Sequence, residues 1–300
     1  MKLKPTQFNY RSICFSDSDD YENDDIRTFG QMKQQMKPIT FNIDAEMAAA
    51  YKRNEGKIQS ESIRPISNGI HAWYNSLNIL VGPQGCGKTH VMVRDVIQMS
   101  RLQDGNFHLI VYISKNGNIN DSTFEAQQEL IQLPIHAVSD ANAEKYLKEL
   151  DLWKELYDKR VDNEKMFEFL HVDATRAEHS LRGCIRKPLN TIILCEDFVK
   201  SKLLKSSYFT NYITQLRHKH AIVYVNVQFF KSIPTEYKQN CTSFFIFSGF
   251  SRQKMQYIYQ QVPMPLEFDE LWYRYSKQKN HDFIVINTRI NSISDHGAFQ

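Results

Sequence analysis

The chain has 300 residues, 42% of them hydrophobic and 12% aromatic, enough for one large α/β domain with or without an appendage. A net charge of +3 excludes a global field for polyanions, so any nucleic-acid surface has to be local. The five cysteines (Cys14, Cys86, Cys184, Cys195 and Cys241) lie far apart with no Cys-x-x-Cys pair, which argues against a zinc site or a disulfide scaffold and for a reducing compartment.

Residues 1–70 read as an N-terminal extension. Its first part holds the acidic block Ser16 to Asp25, too polar to bury a core, which serves either as an interaction arm or as a solvated leader. A strand and a short helix are expected over residues 39–51, then a polar linker over 57–68. The first ten residues lack the continuous apolar core of a signal peptide, and no segment is apolar for long enough to span a bilayer. The expectation is an intracellular chain with no membrane partner.

From Trp73 the pattern alternates strand and helix, which predicts a three-layer α/β domain with a mostly parallel sheet over residues 71–290, followed by a polar tail over 291–300. The apolar run 77–81 is the first strand. It ends in Gly82-Pro83-Gln84-Gly85-Cys86-Gly87-Lys88-Thr89-His90, where a helix over 88–102 begins, with Val91, Val96, Ile97 and Leu102 as candidate buried positions. This is the Gly-x4-Gly-Lys-Thr phosphate-binding pattern between a strand and a helix. Its glycines let backbone N–H groups converge on phosphate oxygens; Lys88 would reach the β- and γ-phosphates, and the Thr89 hydroxyl would complete a Mg2+ shell. Gly82 to His90 are therefore the nucleotide-binding residues, with a nucleoside triphosphate and Mg2+ the ligands expected. Cys86 within the loop is either a thiol-sensitive position or a small filler.

Strands follow at 107–113 and 135–138, then a long helix at 141–161 whose Leu147, Leu150, Trp153, Leu156 and Tyr157 form a stripe suited to core packing. Residues 162–189 are charged and weakly periodic, as an inserted loop or lid would be. The apolar strand 191–195 ends in Glu196-Asp197, where one carboxylate can hold Mg2+ and the other activate water. A helix is expected over 203–218, a strand over 221–227 ending at Gln228, a strand over 244–247, a helix over 252–260 and a last strand over 283–287. Gln228 at a strand's carboxyl end can sense a γ-phosphate or hold water, or be an ordinary loop residue. Arg217, in Leu216-Arg217-His218, closes a helix and on that ground alone serves its dipole.

Taken together, the phosphate loop, the strand ending Glu196-Asp197, Leu216-Arg217-His218 before a strand ending in Gln228, and Ser232-Ile233-Pro234 resemble the DNA-packaging ATPases of poxviruses, other large DNA viruses and virophages. These belong to the FtsK/HerA branch of P-loop motors, within the ASCE/RecA-like class. The resemblance covers about residues 77–290. It implies that the nucleotide is ATP, and an ATPase that drives double-stranded DNA, without sequence preference, into a preformed capsid. It further implies a homo-oligomeric ring, a capsid or portal vertex as partner, and a place in the virion or the host cytoplasm. By the same resemblance Lys88, Glu196, Asp197 and Gln228 form the catalytic set, with Thr89 and Glu196 on the Mg2+ side, and Arg217 completes a neighbouring subunit's site. The family's acids are usually Asp-Asp or Asp-Glu; here the order is Glu-Asp, which leaves the division of labour between Glu196 and Asp197 open. Lys115, Lys200, Lys202 and Lys205 are candidate DNA-phosphate contacts, with solvated charge as the plain alternative.

Two other functions compete. A helicase or replication-associated ATPase of another P-loop branch would unwind forked DNA without packaging. A non-hydrolysing binding module would hold nucleotide with no faster turnover on DNA.

Overall fold

The computed structural model describes residues 65–66, 69–102, 107–158, 189–196 and 201–297. The acidic block, the elements expected over 39–51, all but the last residue of the insertion expected over 162–189, Asp197 and Lys200 lie outside the described residues.

Eight strands form one sheet in the spatial order β3-β2-β4-β5-β1-β6-β7-β8. They are β1 (Leu77–Val81), β2 (Phe107–Ser114), β3 (Ile135–Ser139), β4 (Asn190–Cys195), β5 (Ala221–Val227), β6 (Ser243–Phe247), β7 (Asp282–Asn287) and β8 (Ser292–Gly297). The first six are parallel; β7 and β8 add an antiparallel edge. Burial of β1, β2, β4, β5 and β6 along their whole length explains their continuous apolar runs, since both faces are covered.

The helices are α1 (Lys88–Ser100), α2 (Ser122–Gln127), α3 (Ala143–Asp158), α4 (Ser207–Thr214), α5 (Leu216–Lys219), α6 (Thr235–Asn240), α7 (Arg252–Gln261) and α8 (Phe268–Ser276). Strand alternation divides the sheet's side chains between two cores. Leu80, Tyr112, Leu194, Tyr224 and Phe245 pack with Val91, Met92 and Val96 of α1 and Phe124 of α2. Ile79, Val111, Ile193, Val225 and Phe244 pack with α3, α4 and α6 to α8 on the opposite face. Each fully buried Leu, Ile or Phe contributes about 1.5–3 kcal/mol relative to exposure. With β5 inserted between β1 and the acid-bearing β4, this is the three-layer architecture of the ASCE/RecA-like P-loop NTPases.

In α3, Leu147, Leu150 and Tyr157 are buried, with Trp153 and Leu156 partly so against the same core, and the apolar stripe is core packing as expected. In α1, Val91 and Val96 are buried and Ile97 is only partly covered, as is Leu102 just past the helix end. The single helix expected over 203–218 is instead a 3-10 turn at Leu203–Lys205, then α4 and α5. Ser206 stops the turn and caps α4 by accepting the Phe209 N–H, and Gln215 leaves helical geometry between α4 and α5. Residues 292–297, expected as tail, pair with β7 as β8.

Candidate functional site

Strand register builds the site. Leu80 and Val81 of β1 lie beside Asn226 and Val227 of β5, and Cys195 of β4 lies beside Val225. The residue after β4, Glu196, therefore arrives level with Asn226, at the carboxyl ends of three adjacent parallel strands. Its N–H donates to the Ile113 carbonyl of β2, which holds the strand exit in line (3.0 Å). Ligand sites in open parallel sheets lie at such carboxyl ends.

The loop Gly82 to Thr89 leaves β1 at this edge. The Gly82 N–H donates to the Val227 carbonyl, joining the loop to β5 (3.3 Å). A Cβ at Gly82 would fall 2.5 Å from Cys86 Sγ and 2.7 Å from Phe247 Cβ, so only glycine fits. Gly85 and Gly87 take positive φ (74° and 100°), the left-handed conformation that turns the loop into α1. Gln84 and Gly85 are exposed at its tip, while Cys86 is buried behind it. Burial pushes the Cys86 thiol up, so the sulfur is a protonated filler and not a reactive thiolate.

Lys88 Nζ donates to the carbonyls of Gly82 and Pro83, both at 2.8 Å, and so spans the loop. Thr89 Oγ1 lies 3.0 Å from Glu196 Oε1 and 3.1 Å from Asp121 Oδ2. Asn226 Nδ2 donates to Glu196 Oε2 at 2.7 Å. Burial of the carboxyl group, and then the Asp121 charge beside it, push Glu196 up to about 7; the hydrogen bonds from Thr89 and Asn226 and the Lys88 charge oppose that shift. His90 stands beside Gln127 of α2 (3.5 Å), and burial lowers its pKa. Gln228, half-buried, follows β5 two residues beyond Asn226.

Lys88, Thr89 and Glu196 are thus brought together, with Gln228 at the same strand end. Asp121 and Asn226 are functional candidates that the sequence reading missed. Asn226 was hidden inside an apolar strand, although an amide one residue from a strand's end, before Gln228, is an odd choice for a core. Asp121 was hidden in a loop; its signal was the Asp-Ser-Thr start of a capped helix. The converging oxygens of Thr89, Asp121 and Glu196 are hard donors of the kind Mg2+ prefers.

Arg217 sits elsewhere. It is exposed on α5, which enters β5, whereas the phosphate loop lies at that strand's exit. Seven residues of strand separate the two ends by roughly 20 Å, too far for Arg217 to serve its own subunit's site. Its charge adds to burial in lowering the Arg289 pKa; Arg289 itself is tied to the carbonyls of Tyr74 and Asn75. Lys115, Lys202 and Lys205 are exposed beyond β2 and β4. Asp140 accepts the backbone N–H of Lys202 and Leu203 and the Ser201 hydroxyl, fixing where that segment begins. Cys86, Cys195 and Cys241 are free and buried. Among the described residues no helix is long and apolar enough to cross a membrane.

No protein-family model and no curated protein matches the sequence. Among solved structures, the chain is similar to the DNA-packaging ATPase from Sulfolobus Turreted Icosahedral Virus, at 10% identity and a TM-score of 0.48, over 74% of this chain and 97% of that one. It is similar to the genome-packaging NTPase of Sulfolobus turreted icosahedral virus 2 in complex with AMPPCP, at 13% identity and a TM-score of 0.45, over 74% and 97%. It is also similar to ATPases 2 and 3 of EssC from Geobacillus thermodenitrificans, at 12% identity and a TM-score of 0.48, over 74% of this chain and 39% of that one.

Proposed function

We propose that the chain is an ATP-hydrolysing motor subunit that moves double-stranded DNA, and that its task is packaging a viral genome into a preformed capsid. The observation that carries the hydrolytic part is the contact of the phosphate-loop hydroxyl, Thr89, with the strand-end carboxylate, Glu196, at 3.0 Å, with Asn226 holding that carboxylate's other oxygen. The motor and packaging parts rest on the motif order from Gly82 to Pro234.

In this reading the loop N–H groups and Lys88 bind and orient the triphosphate. Thr89 and Glu196 would hold Mg2+, which would supply positive charge against the triphosphate. Glu196's contact with Thr89 supports its assignment to the metal side, which leaves Asp197 to orient the attacking water and take its proton. Gln228 holds that water or senses the terminal phosphate from the end of β5. Arg217, at the far edge of its own sheet, supplies positive charge to the next subunit's site, which requires a ring. Lys115, Lys200, Lys202 and Lys205 are proposed to meet DNA phosphates and the capsid or portal vertex to be the docking partner, which places the protein in the virion or the host cytoplasm.

The test is turnover of ATP with and without long duplex DNA, alongside strand separation on a forked substrate. DNA-stimulated hydrolysis without unwinding is the expected outcome. Robust unwinding would favour the helicase reading, and nucleotide binding with no hydrolysis would favour the binding module.

A further inference from the structure

Three observations around Thr89 stay unexplained by the residues assigned so far. First, Thr89 Oγ1 faces two carboxylate oxygens, Asp121 Oδ2 at 3.1 Å and Glu196 Oε1 at 3.0 Å. A threonine hydroxyl carries one proton, so it compensates one of these oxygens and leaves the other facing a lone pair. Second, the Asp121 carboxylate is not free to turn away. Its Oδ1 accepts the N–H groups of Thr123 and Phe124 at 2.9 and 3.0 Å, which aims Oδ2 at Thr89. Third, Asn226 is 1% exposed, its Nδ2 donates to Glu196, and its Oδ1 has no hydrogen-bond partner. A buried acceptor on the amide that holds Glu196 is costly unless a donor, a cation or water held by a cation meets it.

We propose that Asp121 is a metal-facing carboxylate of the nucleotide site, holding with Thr89 and Glu196 the divalent cation that accompanies the triphosphate. The inference rests on the nucleotide-site reading above and adds to it a residue from the β2–α2 loop. A hard divalent cation takes one or two carboxylates with phosphate oxygens and water, and Thr89, Glu196 and Asp121 supply oxygen donors from three separate segments of the chain. The α2 cap then has a second purpose: it fixes the orientation of a ligand at the distance Thr89 defines.

Mn2+ is the probe. Free Mn2+ is followed by electron paramagnetic resonance during titration of the full chain saturated with a non-hydrolysable ATP analogue. Binding of the same analogue is measured separately in EDTA. Asp121→Asn and Asp121→Ser are compared with the native chain, because both keep a side-chain acceptor able to cap α2. The expected result is a loss of Mn2+ affinity of about tenfold or more in both variants, with metal-free analogue affinity held. Unchanged Mn2+ affinity in both variants would overturn the inference and leave Asp121 a helix cap. An equal loss of metal-free analogue affinity would also overturn it, by assigning Asp121 to loop structure. If the native chain binds no analogue with or without Mn2+, the nucleotide site itself fails and the inference with it.

Discussion

Lys88 is the residue on which the site turns. Its ammonium donates to two carbonyls of its own loop and so braces the loop's shape. Lys88→Ala is expected to abolish ATP turnover, by about 100-fold or more, while circular dichroism shows a folded chain; full activity in that variant would remove the assigned site. Asn226→Ala strips the donor from Glu196 Oε2 and should lower kcat by about tenfold with KM nearly unchanged, as steady-state kinetics would show. Asp95 gives a prediction of stability. It is fully buried on α1, where Tyr224 donates to it at 3.1 Å, and burial raises its pKa from 3.8 to about 7 against the opposing pull of Arg94. The folded state therefore binds more protons than the unfolded state between these values, and stability falls as pH rises from about 4 to 7. Asp95→Asn should remove that slope and stabilise the protein at pH 8 by on the order of a few kcal/mol, with no gain at pH 4; urea unfolding at the two pH values measures it.

The elements that the sequence made legible were those with the plainest physical cause. β1, β2, β4, β5 and β6 are covered on both faces and read as unbroken apolar runs. The turn between β1 and α1 was legible because the Gly-x4-Gly-Lys-Thr pattern puts glycines where the backbone is left-handed. The small helices α2 and α6 were not, since they bury little: Phe124 in one, Tyr237 and Lys238 in the other. β8 carries no apolar run because it is an edge strand, and only its pairing with β7 defines it. α8 was readable and was missed: Phe268, Leu271, Trp272 and Tyr275 recur at three- and four-residue spacing. Within the site, Asp121 and Asn226 come from a loop and a strand interior; the sheet register brings Asn226 to Glu196, and the fold of the β2–α2 loop brings Asp121 to Thr89. The packing of the loop also predicts a substitution. Gly82→Ala places a Cβ against Cys86 and Phe247, and should lower both the melting temperature and nucleotide affinity; calorimetry with and without an ATP analogue would measure the two losses.

For the whole molecule, the position of Arg217 is the most consequential feature. An arginine at the entry edge of β5 cannot reach the exit edge of its own sheet, so a catalytic role for it requires a second subunit. Arg217→Ala should then lower turnover while sparing ATP binding. Mixing that variant with Glu196→Gln subunits should restore some activity, because some interfaces would pair an intact site with an intact arginine. No rescue at any mixing ratio would limit Arg217 to capping α5. The proposed motor holds ATP on the Gly82–Thr89 loop, hydrolyses it with Glu196 and Asp197, and couples that turnover to DNA. The most direct test is the ATPase rate of the native chain and of Lys88→Ala, each with and without long duplex DNA. The expected rate rises with DNA in the native chain and is lost in the variant; a rate indifferent to DNA, or one that survives loss of Lys88, would rule out a DNA motor built on this loop.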